Sequence, residues 1–229
     1  MAQLSTTPSL LNDANLLAYY KLEDVNDSKA SFNLTNNGTV VFNSAKYGNG
    51  ADFGSANSSK YLSIANDLGI TGGACSFSFW IKLSSEIASG EWVFFIQADA
   101  GTNVAFFVRY AYNAGSQQLQ YARRKTGGAD TVITIAGALG TTAWHHIVLT
   151  YDGATLSNYK NGVVSENVAV TGNGVSGAAD GFQIGATQVP DSYTSAIIDD
   201  FSIFSRALTA TEVLTLYNDP GGSFIFNLI

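Results

Sequence analysis

Ala143-Trp144-His145-His146-Ile147-Val148-Leu149-Thr150-Tyr151-Asp152-Gly153, answered by Tyr159-Lys160-Asn161-Gly162-Val163-Val164, is the stretch on which the fold turns. Ile147, Leu149 and Tyr151 alternate with His146, Val148 and Thr150, the period of two that lets a strand show one face to a core. Asp152-Gly153 and Asn161-Gly162 each tolerate the positive φ that tight hairpin turns require. The segment therefore reads as a Trp-anchored strand followed by a hairpin.

Working outward, the same pattern recurs. Leu16–Leu22 predicts a first strand with Leu16, Ala18, Tyr20 and Leu22 on one face. Cys75–Leu83 alternates most strongly, with Cys75, Phe77, Phe79, Ile81 and Leu83 on one side and Ser76, Ser78, Trp80 and Lys82 on the other. Shorter strands are expected around Thr39–Phe42, Lys46–Phe53 and Tyr61–Ile64, then at Trp92–Gln97, Val104–Tyr112, Gln118–Arg123, Thr131–Ala136, Phe182–Gly185 and Ala196–Phe204. Such spacing, with Gly and Asn turns between, signals a two-sheet antiparallel β-sandwich. A single short helix follows: Thr209-Ala210-Thr211-Glu212 has the capping-box form, and Asp219-Pro220-Gly221-Gly222 ends it. Residues 1–15 read as a polar N-terminal arm, 16–218 as one domain, and 219–229 as an apolar tail that either pairs back or docks on a partner.

Composition agrees with an all-β chain. Of 229 residues only 13% are charged, about half the usual share. Ser, Thr, Asn and Gly supply the polar surface instead. A net charge of −7 opposes binding to a phosphate backbone, so no nucleic-acid partner is expected. The lone cysteine, Cys75, excludes an intrachain disulfide and sits in an apolar strand pattern, as a buried thiol would. No apolar run is long enough for a membrane-spanning helix, and no signal peptide is visible at Met1–Pro8. An extracellular role would then require assembly into a particle, or a leader outside this sequence.

Taken in order, Ala18-Tyr19-Tyr20-Lys21-Leu22-Glu23-Asp24, Asp27-Ser28, Asn36-Asn37-Gly38-Thr39, Tyr47-Gly48-Asn49-Gly50-Ala51-Asp52-Phe53, Phe77–Ile81, Trp144–Gly153 and Ile198–Thr209 leading to Glu212 resemble the LamG-like jelly-roll domain of the concanavalin A-like lectin/glucanase superfamily. The resemblance covers about residues 16–218 and implies two antiparallel sheets face to face. It says less about activity, because the fold hosts lectins, adhesion modules and enzymes.

Alternation places Asp199 on the face of Ile197, Phe201 and Ile203, where an ionised carboxylate needs a partner. The resemblance implies one structural calcium near the meeting of first and last strands, with Asp27, Asp199 and Asn33 as ligands. The alternative is a carboxylate bonded to backbone amides. The family loop is usually the shorter Asp-Ser-Ser-Gly-Asn; here Asp27-Ser28-Lys29-Ala30-Ser31-Phe32-Asn33 replaces it. His145-His146 point to opposite faces and cannot easily chelate one ion, so a structural role is expected.

A glycan site needs aromatic platforms and planar hydrogen-bonding groups. Arg109, Tyr112, Tyr121 and Arg123 cluster with Tyr110 and Arg124 in two neighbouring strands, though these tyrosines can equally be core residues. Trp92, Tyr193 and Asp191 form the alternative platform. No run of closely spaced carboxylates of the glucanase type occurs, and Asp199-Asp200 face opposite ways. The expected function is therefore a non-catalytic carbohydrate-binding or adhesion module, extracellular or on the surface of a larger assembly such as a phage virion or fibre. Residues 1–14 and 220–229 would be its contacts with a protein partner or a homo-oligomer. The alternatives are a structural decoration subunit without glycan binding, and a glycoside hydrolase.

Overall fold

The computed structural model describes residues 10–55, 58–65, 68–70, 73–86, 91–98, 104–113, 115–123, 131–136, 139–170, 181–186 and 192–218. The strands in chain order begin with β1 (Leu16–Tyr20), β2 (Thr35–Asn37), β3 (Val41–Ser44), β4 (Asn49–Asp52) and β5 (Tyr61–Ile64). They continue with β6 (Cys75–Leu83), β7 (Glu91–Ala98), β8 (Val104–Asn113), β9 (Ser116–Arg123) and β10 (Thr131–Ala136). The last are β11 (His145–Tyr151), β12 (Thr155–Lys160), β13 (Val163–Ala169), β14 (Gly181–Ile184) and β15 (Ala196–Phe204), before helix α1 (Ala210–Asn218). Among the described residues these form two antiparallel sheets. One runs β13-β12-β11-β6-β15-β4-β3, with β1 also on β15; the other runs β10-β9-β8-β7-β14-β5-β2.

The alternation of β6 decides where the core lies. Cys75, Phe77, Phe79, Ile81 and Leu83 all join the main apolar cluster between the sheets. Phe77 meets Phe106 and Phe182 of the opposite sheet edge-on, at 5.8 and 6.3 Å between ring centres. Each such ring contributes on the order of 2 kcal/mol by leaving water. The hairpin turn Asn161-Gly162 takes φ of 54° and 79°, the doubly left-handed turn that matches strand twist.

A second apolar layer lies outside the eight-stranded sheet. Leu10, Leu16, Tyr19, Val148, Tyr159 and Phe204 pack there with Leu208 and Val213 at the start of α1. The capping box forms as read: Glu212 accepts from the Thr209 amide at 2.7 Å, and Thr209 Oγ1 accepts from the Glu212 amide at 3.3 Å. Arg206 joins Glu212 to Asp13 by paired hydrogen bonds, and its guanidinium holds the Glu212 carboxyl below the usual range. Residues 10–15, read with the arm, thus belong to the fold, with Leu10 buried and Asp13 anchored. Residues 1–9 and the tail 219–229 lie outside the described residues.

Two register shifts correct the sequence reading. One between Leu16 and Ala18 turns Leu16 out of the main core, to lie with Tyr19 under the helix. The other, between Asp199 and Ser202, carries Asp200 at φ 49°. An extra bulged residue reverses the facing of everything beyond it. Ala196, Ile198, Phe201 and Ile203 are the core residues of β15, so Asp199 faces away from the core together with Ile197. The polar three-residue β2 carries no apolar alternation in Thr35-Asn36-Asn37 and is not among the strands the sequence predicts.

Candidate functional site

Asp199 is buried although it faces outward, covered by the turn between β3 and β4. Its Oδ2 accepts from the Tyr47 amide at 2.9 Å and its Oδ1 from the Asp200 amide at 2.9 Å. Burial, opposed by these amides and reinforced by the neighbouring Asp200 charge, pushes its carboxyl up to about 7. Gly50 is required beside it, since a Cβ there would stand 2.6 Å from that of Ala45 and 2.9 Å from the Ile198 carbonyl oxygen. Asp200 accepts the Tyr19 hydroxyl proton at 2.7 Å.

The 27–33 loop is organised differently. Asp27 Oδ1 accepts from the amides of Tyr19 and Lys29 at 3.0 and 2.9 Å, and its Oδ2 from that of Phe32 at 3.3 Å. Its own amide donates to Asn33 Oδ1 at 2.9 Å. The structure thus brings Asp27 and Asn33 together, while Asp199 is held by a separate set of partners. Calcium needs six to eight oxygens. Among the described residues no three acidic, His or Cys side chains converge, and both lone pairs of Asp27 Oδ1 are spent on amides. The donor set fits the ion poorly, and the geometry favours the amide-bonded carboxylate.

Trp80 pairs in register with both His146 and Asp199, and it gathers an aromatic patch that sequence reasoning missed. Tyr217 of α1 stacks on it at 5.7 Å, Tyr47 meets it edge-on at 5.8 Å, and the Lys46 ammonium lies 4.6 Å from its ring centre. His146 sits between Trp80 and Tyr217 with Nε2 2.9 Å from Ser78 Oγ, and burial lowers it to about 3. It is a neutral structural ring. His145 faces elsewhere and bonds the Leu139 carbonyl. Trp80 itself is buried, so this patch ties helix to sheet.

The proposed glycan platform separates into two faces. Tyr121 and Arg123 are buried toward the core, the guanidinium lying 4.2 Å over the Tyr151 ring and 5.9 Å over Phe106. That removes both from any ligand surface. The parity of β9, with Leu119 and Tyr121 in the core, requires it. Tyr110 is also inward; its hydroxyl donates to Gln117 and accepts from the Leu139 amide. Arg109 points the other way, from between the core residues Val108 and Tyr110. Its Nε donates to Gln120 Oε1 at 2.8 Å, and Gln120 Nε2 donates to Gln118 Oε1 at 3.2 Å. The guanidinium lies 5.1 Å from the Phe107 ring centre.

Arg109, Gln120 and Gln118 thus form a row of planar polar groups across β8 and β9, of which Gln120 is buried; Tyr112, 41% exposed, pairs with Gln117 and lies on the other face, with Tyr110. Gln118 and Gln120 were legible as the residues alternating with Leu119 and Tyr121. Tyr193 is half-buried and bridges Ala186 after β14. Trp92 pairs with Tyr110 through its backbone. Arg124 and Asp191 lie outside the described residues.

Two face-to-face antiparallel sheets with this order define a jelly-roll sandwich. The chain belongs to the concanavalin A-like lectin/glucanases superfamily, whose Laminin_G_3 family model matches residues 54–214. Its fold is similar to the binding domain of botulinum neurotoxin DC in complex with rat synaptotagmin II (TM-score 0.72, 14% identity, covering 89% of this chain and 51% of that one). It is also similar to a botulinum neurotoxin type C structure described as dependent for cell entry on two ganglioside molecules (0.70, 14%, 89% and 51%). A third likeness is to the botulinum neurotoxin type G receptor binding domain (0.69, 15%, 90% and 51%). The chain spans about half the length of these structures. No curated protein matches the sequence.

Proposed function

We propose that this chain is a non-catalytic recognition module that takes a surface glycan on the outer face of its seven-stranded sheet. The observation that carries the reading is the row Arg109–Gln120–Gln118, three planar groups already aligned by mutual hydrogen bonds on that face. Preorganised planar groups of this kind are what the hydroxyls of a sugar require. Family membership supports a binding module, as do fold neighbours described as binding domains in complexes with synaptotagmin II or as interacting with gangliosides. The non-catalytic part of the reading rests on the adjacent Asp199 and Asp200, both engaged in fold contacts instead of being paired across a groove. Display outside the cell or on a virion belongs to the same proposal.

A glycan array with wild-type protein and an Arg109→Ala/Gln120→Ala variant tests it. Binding to a defined glycan that falls at least about tenfold in the variant supports the site. Absence of glycan binding across the array favours a protein-docking or decorative subunit and overturns the proposal.

The structural calcium that the family resemblance implies at Asp27, Asp199 and Asn33 is a separate, lesser proposal, supported by the contact of Asp27 with Asn33 and opposed by the amides that both aspartates accept. Thermal unfolding with saturating calcium and with chelator decides it: a raised midpoint with calcium supports the ion, and an unmoved midpoint removes it.

A further inference from the structure

The outer face of the seven-stranded sheet carries a second polar group, on β5, β14 and β2. Leu62 and Ile64 of β5 enter the core, so Tyr61 and Ser63 alternate onto the outer face, both half-buried. Ser63 pairs with Gln183, which stands between the core residues Phe182 and Ile184 of β14 and so shares that face. On its other side Tyr61 pairs with Asn37 of β2. Asn37 Nδ2 donates to Ser63 Oγ at 2.9 Å and to the Thr35 carbonyl at 3.1 Å, and these two bonds fix the amide plane beside the tyrosine. Among the described residues nothing donates to Asn37 Oδ1, which is left as an acceptor on the face.

Strand order sets the distance between this group and the first. Arg109 lies on β8 and Tyr61 on β5, with β7 and β14 between them. Three strand spacings come to about 14 Å. Gly185, directly after β14, donates its amide to the Phe94 carbonyl at 3.0 Å and puts no side chain on the outer face. A Cβ there would stand 2.5 Å from the Phe53 ring, on the core side.

We infer that Tyr61, Asn37, Ser63 and Gln183 form a second subsite of the glycan face, and that the module takes an extended oligosaccharide lying across the strands. The inference rests on the reading of Arg109, Gln120 and Gln118 as a glycan site. Tyr61 brings to that face an aromatic ring, which the Arg109 row itself does not contain, and the apolar side of a sugar ring packs on such a plane. The flanking amides and hydroxyl supply hydrogen bonds to the sugar's own hydroxyls. One sugar ring cannot span the two groups. A chain that reaches both gains from each, since its second contact forms within an already bound molecule.

Linear gluco-, xylo-, manno- and galacto-oligosaccharides of two to six residues, titrated onto the full chain, test this. In at least one series wild type should bind the hexasaccharide at least about tenfold more tightly than the disaccharide. Tyr61→Thr, which keeps a strand-forming residue, should abolish that preference, with its thermal midpoint reporting that it folds. If it does not fold, Asn37→Ala carries the test, with the same loss of preference expected. Equal affinity for short and long chains in wild type, or a preference that survives in the folded variant, overturns the inference. Binding to array glycans without binding to any linear series overturns it too, and leaves the Arg109 site standing. No binding to either set overturns both.

Discussion

The Tyr19 hydroxyl donates to Asp200 Oδ1 at 2.7 Å, joining residues 181 positions apart. The same tyrosine gives its amide to Asp27. One residue of β1 thus connects the 27–33 loop to the bulge of β15, on the outer side of the sheet. Burial, with the Asp200 charge next, raises the phenol far above its ordinary range, so it stays protonated and remains a donor.

Removing that donor should cost stability without disturbing the core. Tyr19→Phe is expected to destabilise the fold by about 1.5–3 kcal/mol, the range for a hydrogen bond to a charged group. Urea unfolding of Tyr19→Phe, Asp200→Ala and the double variant checks it. Additive losses would show that the two groups do not couple.

Asp199 gives a pH dependence of unusual sign. Its folded carboxyl titrates near 7 against an ordinary 3.8, so between those values the folded chain holds more proton than the unfolded one. Stability from this group is greatest at low pH and is lost as pH rises through about 7. His146 opposes it: lowered from 6.5 to about 3 by burial, it costs stability as pH falls through that window. Comparing wild type with Asp199→Asn isolates the first effect. Wild type should gain on the variant as pH is lowered from about 8 to about 5. A constant gap between their urea midpoints would contradict the assignment.

Asp27 holds three amides at once. Asp27→Ala leaves those of Tyr19, Lys29 and Phe32 without their acceptor, and a loss of about 2–4 kcal/mol is expected. If the loop is purely hydrogen-bonded, the variant's midpoint falls equally in calcium and in chelator. A deficit that appears only in calcium assigns the residue to the ion.

Gly162 should resist substitution for two independent reasons. Its φ of 79° is left-handed, and a Cβ there would press on Leu214 and Tyr217. Gly162→Ala is expected to cost about 1–2 kcal/mol by strain alone. The same change at Gly115, also left-handed at 84° but with nothing within 4 Å, should cost no more than the strain. Equal denaturant midpoints for the two variants would show that the helix contact adds nothing.

Much of this architecture is local and therefore legible. Residues 75–83 and 147–151 alternate without interruption, and a period of two admits only one core face. Asn161-Gly162 and the Thr209–Glu212 box specify their turn and cap within a few residues, where backbone sterics and one hydrogen bond decide the outcome. The sandwich, the helix α1 and the family follow from those stretches.

What alternation could not reveal are the places where the period breaks. The bulges at Leu16/Ala18 and Asp199/Ser202 arise from pairing between β1, β15 and β6, partners far apart in sequence. Each shift exchanges inside for outside, which is why Asp199 was read as a core residue. Tyr121 and Arg123 show the complementary difficulty: their parity was visible, but only the neighbouring ring of Phe106 and that of Tyr151 in the opposite sheet explain a guanidinium turned inward. The sequence alone determined the strands that alternate, because that pattern depends on neighbours along the chain, whereas the polar β2 is a strand only through its pairing with β5. Which carboxylate is buried, which arginine reaches the surface and which rings surround Trp80 were decided by tertiary contacts, because a side chain's solvent is set by whatever the folded chain places against it.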